Sequence, residues 1–278
     1  MYRIKTKGKI AICMLTIIID LYCLFIFANT RHSFFYPQWP RTDISQILYK
    51  TSLSDPDYSL LYAQTGLGRQ AVDMLSALDN WPENILVFQD NYYRKSKTFT
   101  ERINFFSSQE SVLANRPNTS PLQLAPLQNG DILVTKSAQT LYWRHGHCGI
   151  VIDSKKGITL ESLQPGTLSM VQDVSKWLSY PTFKILRLKN TDSTKPAEIA
   201  RYANDNLIGI KYGIFAPKIW DGAIPGSENC SQLLWQAFYH FGYDIDSNKG
   251  IFVTPEDIAG SDLLEVVQIY GFDPDNPW

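Results

Sequence analysis

The sequence predicts an α+β protein, on three observations. Apolar residues recur at three- and four-residue spacing through much of the first hundred positions, short runs rich in Ile, Leu and Val replace them after Asn129-Gly130, and helical spacing returns towards the carboxyl end. Strands grouped between helical ends point to a layered core rather than to the strand-helix alternation of a parallel sheet. At 278 residues, 44% hydrophobic and 13% aromatic, the chain is long enough to bury a substantial core. No long Gly, Ser, Gln or charge tract interrupts it.

The elements follow in order. Arg3, Lys5, Lys7 and Lys9 precede an apolar run over 10–28 broken by one charge, Asp20. At ~1.5 Å per residue a helix of that length covers roughly the ~30 Å hydrocarbon core, and it exceeds the ~7 to 15 apolar residues of a cleavable signal. It reads as a single-pass anchor, amino terminus inside and body extracytoplasmic, because the basic residues lie before it and only Arg31 follows closely. A signal cleaved after Ile26-Phe27-Ala28, leaving a secreted body, is the alternative. From Arg31 onward 22 basic residues face 26 acidic ones, a net of −4, with no basic stripe interleaved with aromatics. Nucleic acid is excluded as an expected partner.

Residues 31–129 read as a mostly helical extension, over 43–48, over 58–78 interrupted by Gly66 and Gly68, and over 83–104. The Pro-rich stretch 115–121 and Pro126 then mark a linker. Residues 130–278 hold short strands over 131–135, 147–153, 158–163 and 183–188, suited to a small antiparallel sheet. Helices are expected over 196–206, 230–241 and 255–261.

Two residues carry the chemistry. Cys230 opens a helix in Glu228-Asn229-Cys230-Ser231-Gln232-Leu233-Leu234, where the helix dipole and unpaired amides favour thiolate. Leu233, Leu234, Ala237, Phe238 and Phe241 share one face, which docks the helix on a sheet. His147 leads a strand in Arg144-His145-Gly146-His147-Cys148-Gly149-Ile150, placed to serve a thiolate as base and then as acid. Alternation puts His145 and His147 on one face and sends Cys148 to the other, so that Cys148 is expected to pack away from the site and His145 to be structural. Glu161, in Ile158-Thr159-Leu160-Glu161, is the expected orienting carboxylate, with Asp153 the weaker candidate. No CxxC or HExxH spacing occurs, so neither metal nor cofactor is expected.

Gly130-Asp131-Ile132-Leu133, the His147 strand, Glu161, Gly209-Ile210-Lys211-Tyr212, the Asn229-Cys230 helix and Val253-Thr254-Pro255-Glu256-Asp257 together resemble the circularly permuted, NlpC-type papain-like hydrolases of the YiiX/YebB kind, over about half the chain. The resemblance implies a permuted papain-like core, a small antiparallel sheet packed on the nucleophile helix. It implies Cys230 as nucleophile, His147 as base, Glu161 as orienter and Tyr212 near the oxyanion. Cys148 departs from the pattern, where such strands more often carry a plain apolar residue. The implied function is a membrane-anchored thiol hydrolase acting on an amide bond, with a cell-wall-type peptide as substrate. Asn229-Cys230 also resembles the nucleophile motif of lecithin:retinol acyltransferase-like proteins, which leaves lipid acyl hydrolysis or transfer open. A catalytically silent binding module is the third reading.

Overall fold

The computed structural model describes residues 6–30, 34–112, 122–141 and 143–278. Arg3, Lys5, Arg31, His32 and the linker 115–121 lie outside the described residues. The helices are α1 (Thr6–Thr30), α2 (Ser45–Leu48), α3 (Asp55–Thr65), α4 (Arg69–Ser76), α5 (Trp81–Tyr92), α6 (Thr194–Asn206), α7 (Cys230–Tyr239) and α8 (Pro255–Ala259). The strands are β1 (Thr98–Arg102), β2 (Ser107–Val112), β3 (Ile132–Thr135), β4 (Ala138–Thr140), β5 (Trp143–Arg144), β6 (His147–Asp153), β7 (Ile158–Glu161), β8 (Met170–Asp173), β9 (Phe183–Leu188), β10 (Lys211–Tyr212), β11 (Ser227–Glu228) and β12 (Leu264–Tyr270). The protein is thus mixed α+β, and α1 contains a window, Gly8–Phe27, long and apolar enough to cross a membrane and left uncovered by the body.

The interruption at Gly66 and Gly68 has a physical cause at each glycine. Gly66 ends α3 in the left-handed region, at φ 71°. A Cβ on Gly68 would sit 1.9 Å from the Val266 carbonyl oxygen. The chain between the two helices lies along β12, with Gly68 N–H donating to Val267 O at 2.9 Å and Ile269 N–H to Gly66 O at 2.8 Å, and so covers an otherwise open sheet edge.

Six antiparallel strands form the central sheet in the order β12-β9-β3-β6-β7-β8. Alternation along them fills two cores. On one face Ile132, Val134, Cys148, Ile150 and Leu186 pack with Ile199 of α6 and Leu233, Leu234 and Phe238 of α7. On the other, Leu133, Val151, Phe183 and Ile185 pack with Leu61, Val72, Ile85 and Phe88 of the amino-terminal helices.

Two expectations are corrected, and one strand is added. Helix over 83–104 stops at Tyr92, and Thr98-Phe99-Thr100, rich in residues that favour extended backbone, pairs as β1 with β2 in a second sheet, β1-β2-β4-β5. β12, whose alternation is broken by a register shift at Val266/Gln268, was not foreseen. And α7 is buried on every side from Cys230 to Phe238, rather than on one face. Its polar groups are taken up by the surrounding loops, Ser231 Oγ by Val253 O at 2.7 Å and Trp235 Nε1 by Asp244 Oδ1 at 2.8 Å.

Candidate active site

Two neighbouring strands and one helix start assemble the site. His147 begins β6 and Glu161 ends β7, and the imidazole Nε2 lies 2.6 Å from Glu161 Oε2. The other nitrogen, Nδ1, is left for Cys230, whose thiol interacts with the His147 side chain. Asn229 caps α7 by accepting from Gln232 N–H at 2.9 Å, which sets the first turn and with it the direction of Cys230. The Trp177 ring stacks on the imidazole, with centroids 5.7 Å apart and planes at 15°.

Glu161 is fully buried and fully used. Besides His147, Oε2 meets Lys176 Nζ at 2.5 Å, while Oε1 accepts from Thr159 Oγ1 at 2.6 Å and from Trp177 Nε1 at 3.1 Å. Burial works against this charge, but His147 and Lys176 overcome it and hold the carboxyl down at about 2. Burial likewise opposes a charged imidazole, and the bonds to Cys230 and Glu161 reverse it, raising His147 to about 9. The Cys230 thiol is drawn well below its ordinary range, first by the Cys148 side chain and then, against burial, by His147. Both shifts favour the thiolate–imidazolium form of the pair. Asp153, the weaker candidate, stands apart, pairing with Lys156 at 3.1 Å.

Cys148 is a correction. Alternation does send it to the face opposite His147, but that is the face on which α7 packs. Its side chain and its backbone N–H both act on Cys230 and favour the thiolate. Burial pushes the Cys148 thiol itself up, well away from ionisation, so it serves as donor to its neighbour. His145 hydrogen-bonds Thr140 Oγ1 at 3.0 Å and the Gly146 carbonyl at 2.7 Å. Tyr212 is partly buried within electrostatic range of Cys230 and Cys148, and burial keeps its phenol protonated. Among the described residues no cluster of three or more His, Cys, Asp or Glu side chains is placed to hold a metal. A cavity of about 350 Å³ lined by Asn129, Asp153, Lys156 and Arg201 includes none of Cys230, His147 or Glu161.

Reading the sequence missed Lys176, Trp177, Gly149 and Glu228. Thr159, two residues from Glu161 on one strand, was readable from alternation. Lys176 and Trp177 lie in a 3₁₀ turn whose return under β6 no local pattern announces. Glu228 is fully buried with neither carboxyl oxygen hydrogen-bonded, and burial pushes it up to about 8. This favours the neutral acid two residues before Cys230.

Gly149 makes room for the carboxylate, since a Cβ there would lie 2.7 Å from Glu161 Cγ, in the middle of a side chain held by four partners. Gly149→Ala is expected to displace Glu161 and lower the His147 pKa, so that the imidazole, followed by NMR, titrates below the parent's value of about 9. An unchanged His147 titration would show that Glu161 does not hold the imidazole charged.

No family model matches the chain. Over 158 residues, 56% of its length, the chain is 30% identical to "Uncharacterized protein YycO" of Bacillus subtilis (strain 168), and it spans 61% of that protein. Among solved structures it is similar to that of metalloprotein yiiX from Escherichia coli O157:H7, with a TM-score of 0.41 and 15% identity over 51% of this chain and 97% of that one.

Proposed function

We propose that this protein is a membrane-anchored cysteine acyl hydrolase of the permuted papain-like type, with Cys230 as nucleophile, His147 as acid and base, and Glu161 as the group that orients and charges the imidazole. The observation that carries this reading is the His147 ring, bound at one nitrogen to a four-partner buried carboxylate and interacting with a helix-start thiol.

In the reaction the Cys230 thiolate attacks the acyl carbon and the carbonyl oxygen takes up the electron pair. Amides at the start of α7, together with the Tyr212 hydroxyl, offer donors to that oxyanion. His147 gives its proton to the leaving group as the tetrahedral species collapses to a thioester. Water, deprotonated by the now neutral His147, then releases the acid and restores the thiolate–imidazolium pair. Because His147 must carry its proton to the leaving group, turnover is expected to fall as pH rises through about 9.

At pH 6 a free cysteine is only about 0.3% thiolate. Cys230 is therefore expected to react with iodoacetamide at least ~10-fold faster than free cysteine at that pH, even after allowing for the lower nucleophilicity of a low-pKa thiolate. Peptide mass spectrometry separates Cys230 from the exposed Cys13 and Cys23. Labelling at the free-cysteine rate would favour the silent binding module. For the acyl group, a cell-wall-type peptide amide is the leading substrate, and incubation with muropeptides and with phospholipid vesicles tests it. Fatty acid release without peptide cleavage would replace the peptide with a lipid ester.

A further inference from the structure

Two turns of the smaller sheet end in bare apolar side chains. The β1–β2 turn presents Phe105 and Phe106, 76% and 58% exposed, and the β4–β5 turn presents Leu141 and Trp143, 52% and 46% exposed. Leu141 N–H donates to Phe106 O at 2.8 Å, so the four side chains belong to one tip. The Phe105 and Phe106 rings lie edge to face at 4.9 Å, and Arg102 braces their turn by donating to Asn104 O and Phe105 O. Leu141 holds φ at +50°, a conformation that glycine or asparagine adopts at little cost and leucine does not. An exposed, strained leucine serves neither the core nor the turn.

The tip touches α1. Tyr22 Oη donates to the Leu141 carbonyl at 2.8 Å. Tyr22 lies five residues inside the end of the apolar window Gly8–Phe27, about 7.5 Å along a helix. Interfacial apolar side chains settle ~5–10 Å into the headgroup and acyl boundary, and Trp and Tyr favour that level. From the tip the chain runs through Trp143 and His145, whose rings lie 5.8 Å apart, to His147.

We infer that the Phe105, Phe106, Leu141 and Trp143 tip inserts into the outer boundary of the bilayer that α1 crosses, clamping the body so that the His147 strand starts at the membrane surface. The inference rests on the anchor reading of α1 and is independent of whether Cys230 is catalytic.

The full chain in phosphatidylcholine nanodiscs tests it, with part of the lipid brominated on the acyl chain near the headgroup. Tryptophan fluorescence of the parent is expected to be quenched by brominated lipid, and Trp143→Phe to lose at least half of the quenched component. Phe105→Ser/Phe106→Ser, at exposed positions, is expected to reduce Trp143 quenching at least twofold by lifting the tip. Equal quenching of parent and Trp143→Phe overturns the inference. Failure of the full chain to float with vesicles overturns the anchor and the docking together, whereas loss of Cys230 reactivity with quenching intact removes the proposed chemistry alone.

Discussion

A Cys230→Ala chain is expected to lose acyl transfer by at least about 10⁴-fold while keeping its fold, because removing the nucleophile of a thiol or serine enzyme leaves only binding and oxyanion contacts. The informative point is the second thiol beside it. Cys148 does not take over, since burial holds it protonated and it lies across the strand from the face that carries His147. Cys148→Ala is the contrast. It is expected to retain turnover but to raise the Cys230 pKa, because the Cys148 side chain is the largest influence favouring the Cys230 thiolate. Turnover on the substrate class that the muropeptide and phospholipid incubations select, with Cys230 alkylation followed against pH, checks both variants. A Cys230→Ala chain within tenfold of the parent rate would dismiss Cys230 as nucleophile.

Arg187→Ala carries the largest expected effect on stability, a loss of ~3–5 kcal/mol. Arg187 on β9 grips Asp131 with two parallel bonds, Nε to Oδ1 at 2.7 Å and a terminal nitrogen to Oδ2 at 2.8 Å, and both side chains are almost wholly buried. The same guanidinium reaches Gln70 Oε1 at 2.9 Å and Pro126 O at 3.3 Å, and so ties α4 and the chain entering β3 to the sheet. Removing it leaves the Asp131 carboxylate in the interior with only the Gln128 N–H bond, at 2.7 Å. At ~2–4 °C per kcal/mol for a domain of 150–250 residues, the melting temperature is expected to fall by roughly 6–20 °C. Circular dichroism melts of the full chain in nanodiscs measure it. A loss below about 1 kcal/mol would mean that water reaches Asp131 once the arginine is gone.

This pair explains the Asp in Gly130-Asp131-Ile132-Leu133, which the sequence marks as a motif without a cause. The hydrophobic runs around it are legible because burial on a sheet requires β-branched and aliphatic residues over several consecutive positions. The partner is not legible, because Arg187 stands 56 positions away in an equally apolar strand. The second sheet was missed for a related reason. β1 is exposed along its whole length, so no hydrophobic alternation with a buried face marks it.

The candidate site divides in the same way. Asn229 before Cys230 is a local capping signal, and the local preferences of strand and helix were enough to place His147 at a strand start and Cys230 at a helix start. Glu161 could be proposed because a carboxylate flanked by Leu160 and Leu163 on a half-buried strand needs a partner.

By itself, then, the sequence determined the α+β class, the apolar amino-terminal helix, the break at Gly66 and Gly68, and the positions of Cys230, His147 and Glu161 on their elements, because each depends on the chain within a few residues. Only the tertiary structure decided that Cys148 acts on Cys230, that Lys176 and Trp177 complete the Glu161 cage, that Gly149 leaves room for it, and that an aromatic tip stands beside α1. These depend on which face of the sheet α7 covers and on turns that bring distant segments together, and strand periodicity specifies the alternation of faces without specifying what will be packed on each.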